Sequence, residues 1–245
     1  YPNHYKEYID ENTLLVILDT HKIDRVVCPH LLDLVKDKAV IDHHVKGSHY
    51  IKDTVFSYMN SGLSSINEFM VGYLKYLEKT VDPMVATIML TGIEIDTNNF
   101  HIKTTELTYE AAAFLMHIGA DNIEKLELLK ENKHDYLKRL DFVKKSEMIN
   151  DNMALCILDD TIVLPKDLAI ISESLLLFDN VDAAFTIGRT DEKVISISAR
   201  SIGKIDVEEY MKALGGGGHL TDAACQLENI SLKEAKQELL QVIKR

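Results

Sequence analysis

Three apolar runs in the first hundred residues each end in an aspartate. Thr13-Leu14-Leu15-Val16-Ile17-Leu18 stops at Asp19, Lys38-Ala39-Val40-Ile41 stops at Asp42, and Met89-Leu90-Thr91-Gly92-Ile93-Glu94-Ile95 stops at Asp96. Short, nearly continuous apolar runs read as strands buried on both faces, the signature of parallel sheets. The stretches between them include helical patterns. Ser64 to Glu78 places Ile66, Phe69, Met70, Tyr73, Leu74 and Leu77 on one helical face, and Pro83 to Leu90 looks like the start of another helix after Asp82. Asp is a good N-cap, and proline is tolerated at the first helical position. The alternation predicts an α/β domain with a mostly parallel sheet flanked by helices. In such sheets ligands bind beyond the carboxyl ends of the strands, so Asp19, Asp42 and Asp96 would converge on one edge. One such aspartate is an ordinary turn residue. Three of them, two with histidines alongside, read as a site.

Thr108 to Ile118 continues the helical pattern, and Asn122 to Asn150 is Lys- and Glu-rich with no Pro or Gly, as expected of exposed connecting helices. From Met153 the pattern restarts. A strand at Ala154–Leu158, a helix at Asp167–Phe178, a hairpin around Asp191-Glu192, a short helix at Asp206–Leu214 and a closing helix at Ser231–Arg245 predict a smaller α+β domain. The expected organisation is residues 1–121, a helical linker 122–150, and residues 151–245.

Composition restricts the partners. Lys plus Arg is 27 and Asp plus Glu is 39, a formal net charge of −12. Long nucleic acids are held largely by phosphate neutralisation, which so acidic a chain is poorly equipped to supply. No apolar run approaches the ~18 residues of a membrane span, and no signal peptide is evident. The cysteines, Cys28, Cys156 and Cys225, are odd in number and lack CxxC spacing. A reducing, cytoplasmic setting therefore fits better than a disulfide framework.

The chemistry-bearing residues form four groups. Asp19-Thr20-His21 offers a carboxylate and an imidazole just after a strand. Asp42-His43-His44 places two histidines after a buried run, where each needs a partner such as a metal ion or a phosphate. Asp96 adds a hard oxygen ligand. Carboxylates mixed with imidazole suit Mn²⁺ better than Mg²⁺. In the second domain, Arg200-Ser201 and the run Gly215-Gly216-Gly217-Gly218-His219 offer a guanidinium, exposed backbone N–H groups and a further donor for an anion.

Asp42-His43-His44 after a strand, with Asp19 upstream and Asp96 downstream, resembles the DHH phosphoesterase superfamily. Arg200-Ser201 and the Gly-Gly-Gly-Gly-His run resemble its DHHA1 substrate domain. The stretches Leu18–Lys22, Ile41–His44, Gly92–Thr97 and Leu214–Ala224 are similar to bacterial cyclic-di-AMP phosphodiesterases, and the resemblance spans essentially the whole chain.

That resemblance implies two Mn²⁺ ions and hydrolysis of a small cyclic or linear dinucleotide, cyclic-di-AMP giving linear pApA. It implies that Asp19 bridges the metals, that His43 and Asp96 bind one of them, and that Asp42 orients His43. It implies that His21 and His44 face the substrate phosphate and that Ser64 and Ser65 lie near the substrate. Arg200, Ser201, Gly216, Gly217, Gly218 and His219 would hold the distal nucleotide or its phosphate across an interdomain cleft. A longer protein of this kind is membrane-anchored with its catalytic part in the cytoplasm; these residues by themselves would make no membrane contact, and a homodimer stays open.

The chain departs from the family pattern in three places. Val45-Lys46-Gly47 stands where a basic pair often follows the DHH residues, and Lys103 stands where Arg is usual. The family's His-then-Asp-x-Asp motif is not found in the eighteen residues before Asp19. On that ground, poor metal retention and little phosphodiesterase activity are expected of these 245 residues alone. The alternatives are an exonuclease of very short RNA or an adenosine bisphosphate phosphatase of the same superfamily, an inorganic pyrophosphatase, and a non-catalytic nucleotide-binding fragment. The tetraglycine run speaks against the pyrophosphatase.

Overall fold

The computed structural model describes residues 7–44 and 49–244, so Val45-Lys46-Gly47 lies outside the described residues. The chain divides into two units at Lys130/Glu131.

The first unit carries β1 (Leu14–Leu18), α1 (Leu31–Leu34), β2 (Asp37–Asp42), β3 (Phe56–Met59), α2 (Ile66–Tyr76), α3 (Pro83–Asp96), α4 (Glu106–His117) and α5 (Asn122–Leu129). Its sheet has the order β1-β2-β3, all parallel. The register pairs Leu18 with Ile41 and Asp42 with Met59, so the carboxyl ends of all three strands finish at one edge. Ile17, Val40 and Ile51 pack a small core on this sheet, and α2, α3 and α4 pack a second around Val71, Ala86, Leu90, Ile93 and Leu115.

The expected strand at Met89–Ile95 is a correction. These residues are the second half of α3, which runs unbroken from Pro83 to Asp96. The start signals hold: Asp82 accepts from the Met84 N–H and Pro83 occupies the first turn. α3 buries Ala86, Leu90 and Ile93 but also carries apolar residues on its exposed side, Val85, Ile88 and Ile95, and a short apolar run does not by itself reveal its period. Thr87 and Thr91, which favour strands, instead donate their hydroxyls to the carbonyls of Pro83 and Thr87 one turn earlier. β3, which carries no strong apolar run, is a strand the pattern did not reveal.

The second unit contains α6 (Lys133–Lys144), β4 (Glu147–Asn150), β5 (Met153–Ile162), α7 (Pro165–Leu175), β6 (Ala183–Asp191), β7 (Val194–Ser201), α8 (Val207–Ala213), β8 (Gly217–Gly218), β9 (Asp222–Glu228) and α9 (Leu232–Ile243). The sheet order is β4-β5-β6-β7-β9-β8. Only β5 and β6 pair in parallel, and α7 makes the crossover between them. Alternate β6 residues feed opposite cores. Phe185 and Ile187 meet α8 and α9 through Val207, Met211 and Leu239 on one face, and Ala184 meets α7 through Leu168, Ile171 and Leu175 on the other. The charged stretch 122–150 is not uniformly helical: its last four residues are β4, paired antiparallel to β5.

Candidate functional site

Two strand ends of the first unit and the end of α3 place the charged residues. Asp19 follows β1 in the left-handed backbone region, with φ 65°, and its N–H donates to the Ile41 carbonyl at 3.0 Å. Aspartate is one of the few residues that adopts this geometry readily. At the end of β2, Asp42 is fully buried and accepts from two imidazoles, His21 Nδ1 at 2.5 Å and His44 Nδ1 at 2.6 Å. The His44 backbone N–H adds a third bond at 3.1 Å. Burial pushes the Asp42 carboxyl up, but the bonds from His44 and His21 outweigh it and hold it well below the usual carboxylate range.

His43 has a different partner from the one expected. Asp42 serves His21 and His44, while His43 Nδ1 faces the Leu63 carbonyl at 3.4 Å. Only a protonated Nδ1 suits a carbonyl, so the neutral ring presents a bare Nε2 to the site. That Nε2 lies 3.1 Å from Asp19 Oδ1, so in the neutral ring two lone pairs face each other, and it is a buried nitrogen without an aligned hydrogen-bond partner.

Asp96 arrives from the end of α3 with the Ser65 hydroxyl near it, which draws its pKa down. A left-handed turn fixes this helix end. Asn98, Asn99 and Phe100 have φ of 46°, 56° and 62°. The buried Thr97 hydroxyl donates to Ile93 O at 2.7 Å and accepts from the Phe100 N–H at 3.0 Å. The Phe100 ring stacks on Tyr109 of α4 at 5.5 Å. The Thr-Asn-Asn run was the available signal for this turn, since asparagine tolerates the conformation.

Ser64 and Ser65 are both fully buried and bonded within the protein. Ser64 donates to Glu68 Oε2 at 2.5 Å, and Ser65 caps α2 through the Asn67 N–H.

The residues present fit a cation. One ligand atom each from Asp19, His43 and His44 lies within 4.8 Å of the other two, and Asp96 is close enough to interact electrostatically with all three. Burial raises the Asp96 pKa, the Ser65 hydroxyl opposes the rise, and the neighbouring Asp19 charge adds to it. Burial alone would lower the His43 pKa, but Asp19 and Asp96 beside it leave it raised. Two carboxylates drawing charge onto an imidazole is the electrostatics of a site that a cation would neutralise. The mixed oxygen and nitrogen donors match a borderline divalent ion such as Mn²⁺ or Zn²⁺.

In the second unit Arg200 Nε donates to Glu173 Oε1 at 3.0 Å, and its Nη1 to Ala199 O at 3.1 Å. Ser201 is buried and donates to Leu220 O at 3.1 Å. The glycines have distinct duties. Gly215, at φ 79°, ends α8 in a Schellman turn, with the Gly216 N–H donating to Met211 O and the Gly215 N–H to Lys212 O. A Cβ at Gly216 would overlap the Ala224 carbonyl oxygen and the Cys225 side chain, and one at Gly218 would overlap Ala223 and Asp222. Gly217 alone of these last three has open space around its Cα. His219 turns the chain into β9, its N–H donating to Asp222 O at 2.7 Å.

Comparison with known proteins agrees with this architecture. The family model for the DHH family N-terminal domain matches residues 1–93, and that for the DHHA1 domain matches residues 150–245. The chain carries a DHH family N-terminal domain and a DHHA1 domain. It is 37% identical over 247 residues to the cyclic-di-AMP phosphodiesterase GdpP of Bacillus subtilis, covering 99% of this chain and 38% of that protein. It is 35% identical to the cyclic-di-AMP phosphodiesterase PdeA of Listeria monocytogenes, covering 97% of this chain and 36% of that one. The chain thus spans well under half the length of these relatives. An exopolyphosphatase-related protein from Bacteroides fragilis shares the fold, with TM-score 0.79 at 18% identity, covering 99% of this chain and 75% of that one. Among the described residues of this DHH–DHHA1 chain, no helix is long and apolar enough to cross a membrane.

Proposed function

We propose that the protein carrying these residues hydrolyses cyclic-di-AMP to the linear dinucleotide pApA at a Mn²⁺ site that includes Asp19, His43 and Asp96. The observation that carries it is His43 Nε2, a buried nitrogen that lacks a hydrogen-bond partner and faces Asp19. A nitrogen so placed costs free energy unless something binds it, and a divalent ion satisfies it along with both carboxylates. The substrate class rests on the relatives, two of which are named for cyclic-di-AMP.

When bound, metal ions at such a site supply an activated water and neutralise charge on the phosphoryl oxygens. The chain's own residues prepare the rest. Leu63 O fixes the His43 ring so that Nε2 points to the site. Asp42 accepts hydrogen bonds from Nδ1 of His21 and of His44, which leaves Nε2 of His44 facing outward. His44 is half exposed and is the residue placed to meet a substrate phosphate, while His21 is buried and braces Asp42. In the second unit Arg200, Ser201, Gly216, Gly217, Gly218 and His219 are assigned to the distal nucleotide, with Gly217 the position where a ligand can approach the backbone closely.

The test is a substrate panel of cyclic-di-AMP, cyclic-di-GMP, linear dinucleotide, very short RNA and adenosine bisphosphate, each with Mn²⁺ and with chelator. Cyclic-di-AMP should be converted to pApA only with Mn²⁺, and His43→Ala should abolish the conversion while leaving the fold intact. Cleavage of none of the panel, or of the bisphosphate alone, would overturn the proposal.

A further inference from the structure

Glu68 is a buried acid with no part in the chemistry described so far. It is 5% exposed, on the first turn of α2, and no lysine or arginine forms an ion pair with it among the described residues. Its Oε2 instead accepts two hydroxyls, Ser64 Oγ at 2.5 Å and Thr108 Oγ1 at 2.7 Å. Both donors are fully buried. The Ser65-x-x-Glu68 spacing is that of a capping box, in which the glutamate would turn back to the helix start. Here it reaches away from its own helix end, to the serine before the cap and across to α4.

The far anchor is rigid. Thr108 belongs to the capping box of α4, and its oxygen accepts the Thr105 N–H at 3.0 Å while its hydroxyl proton goes to Glu68. The near anchor is the middle of three consecutive residues whose neighbours touch the metal centre. Leu63 supplies the carbonyl that orients His43, and Ser65 caps α2 with its hydroxyl near Asp96. Ser64, between them, is tied to Glu68. A buried carboxylate that takes its hydrogen bonds from just these two places holds one loop in one position.

We propose that Glu68 is a positioning residue for the metal centre: by clamping Ser64 to Thr108 it sets the Leu63 carbonyl against His43 and the Ser65 hydroxyl against Asp96. This rests on the metal site proposed above. Outer partners of metal ligands commonly matter by about 10- to 100-fold in metal affinity. Glu68→Gln keeps an oxygen that accepts both hydroxyls, and Glu68→Ala removes it.

The experiment measures Mn²⁺ affinity by calorimetry on the wild-type chain, Glu68→Ala, Glu68→Gln and Thr108→Val, alongside amide hydrogen exchange of the metal-free proteins. Glu68→Ala should bind Mn²⁺ at least about tenfold more weakly and exchange faster at residues 63–67, and Glu68→Gln should stay within about threefold of wild type. Thr108→Val fills the same volume without the hydroxyl and should shift in the same direction as Glu68→Ala. It keeps the test open if the alanine variant does not fold. Variants that lose thermal stability while Mn²⁺ affinity and loop exchange stay at wild-type values would overturn the inference and leave the metal site standing. Failure of the wild type to bind Mn²⁺ would overturn the metal site itself.

Discussion

The ligand set depends on where single protons sit. His21 and His44 each meet the Asp42 carboxylate through Nδ1 and His43 meets a backbone carbonyl through Nδ1, so one kind of contact orients each of the three rings. Because the Asp42 pKa is depressed in the folded state, its contribution to stability is fully present above the unfolded carboxylate value of about 4 and is lost as pH falls toward the folded value. Asp42→Asn should therefore cost about 2 kcal/mol near neutral pH and flatten the fall in urea midpoint below about pH 4. An unchanged acid slope would remove Asp42 from that role. The thiols give a second check. Burial pushes Cys156 up to about 11 and Cys225 up to about 12, so both are protonated and shielded near pH 8. Cys28 is only partly buried. A thiol reagent should find one fast group in the native protein and all three after denaturation; three fast groups in the native state would contradict the packing. Asp19, His43 and Asp96 were legible because they sit where strands or apolar runs stop. The pairing of Asp42 with His44 instead of His43 was not, because adjacent residues leave opposite sides of a strand end and spacing does not say which side turns back.

Elements were legible where their ends were marked. Asp82-Pro83, Asp206 and Ser231 each mark a helix start, and each caps as its chemistry demands. The failure at Met89–Ile95 has the same origin as the success. Its cap lies seven residues upstream, outside the apolar window, and apolar residues on the exposed side, Ile88 and Ile95, blurred the period. The tetraglycine run was read as an anion cradle, and much of it has a packing reason: Gly215 ends a helix, and Gly216 and Gly218 let β8 pass close over β9. Two substitutions separate these roles. Gly216→Ala should cost about 1–3 kcal/mol, because its Cβ meets backbone that cannot give way. Gly217→Ala should stay within about 0.5 kcal/mol of wild type by thermal unfolding, yet weaken cyclic-di-AMP binding. Equal stability losses would mean that β8 is packed tightly throughout; unchanged binding would remove Gly217 from the nucleotide site.

At the scale of the whole chain, two units with separate cores carry separate parts of the proposed chemistry. Alternating strands and helices announced the first, and the restart at Met153 announced the second. The excess of acidic over basic residues argued against a long polyanion as partner. Within it, Asp19 and Asp96 converge on His43 in a way that favours bound cations. Ser64 and Ser65 were named through the family resemblance alone, and Glu68 escaped the sequence because its contact reaches across to α4, forty residues away. The central claim is that the strand-end cluster is a metal centre. Crystals of the chain grown with Mn²⁺, with diffraction recorded for the anomalous signal of manganese, test it most directly. The expected result is an anomalous peak bonded to His43 Nε2 and to carboxylate oxygens of Asp19 and Asp96. A map with no peak at that position, or with manganese bound only elsewhere, would contradict the account.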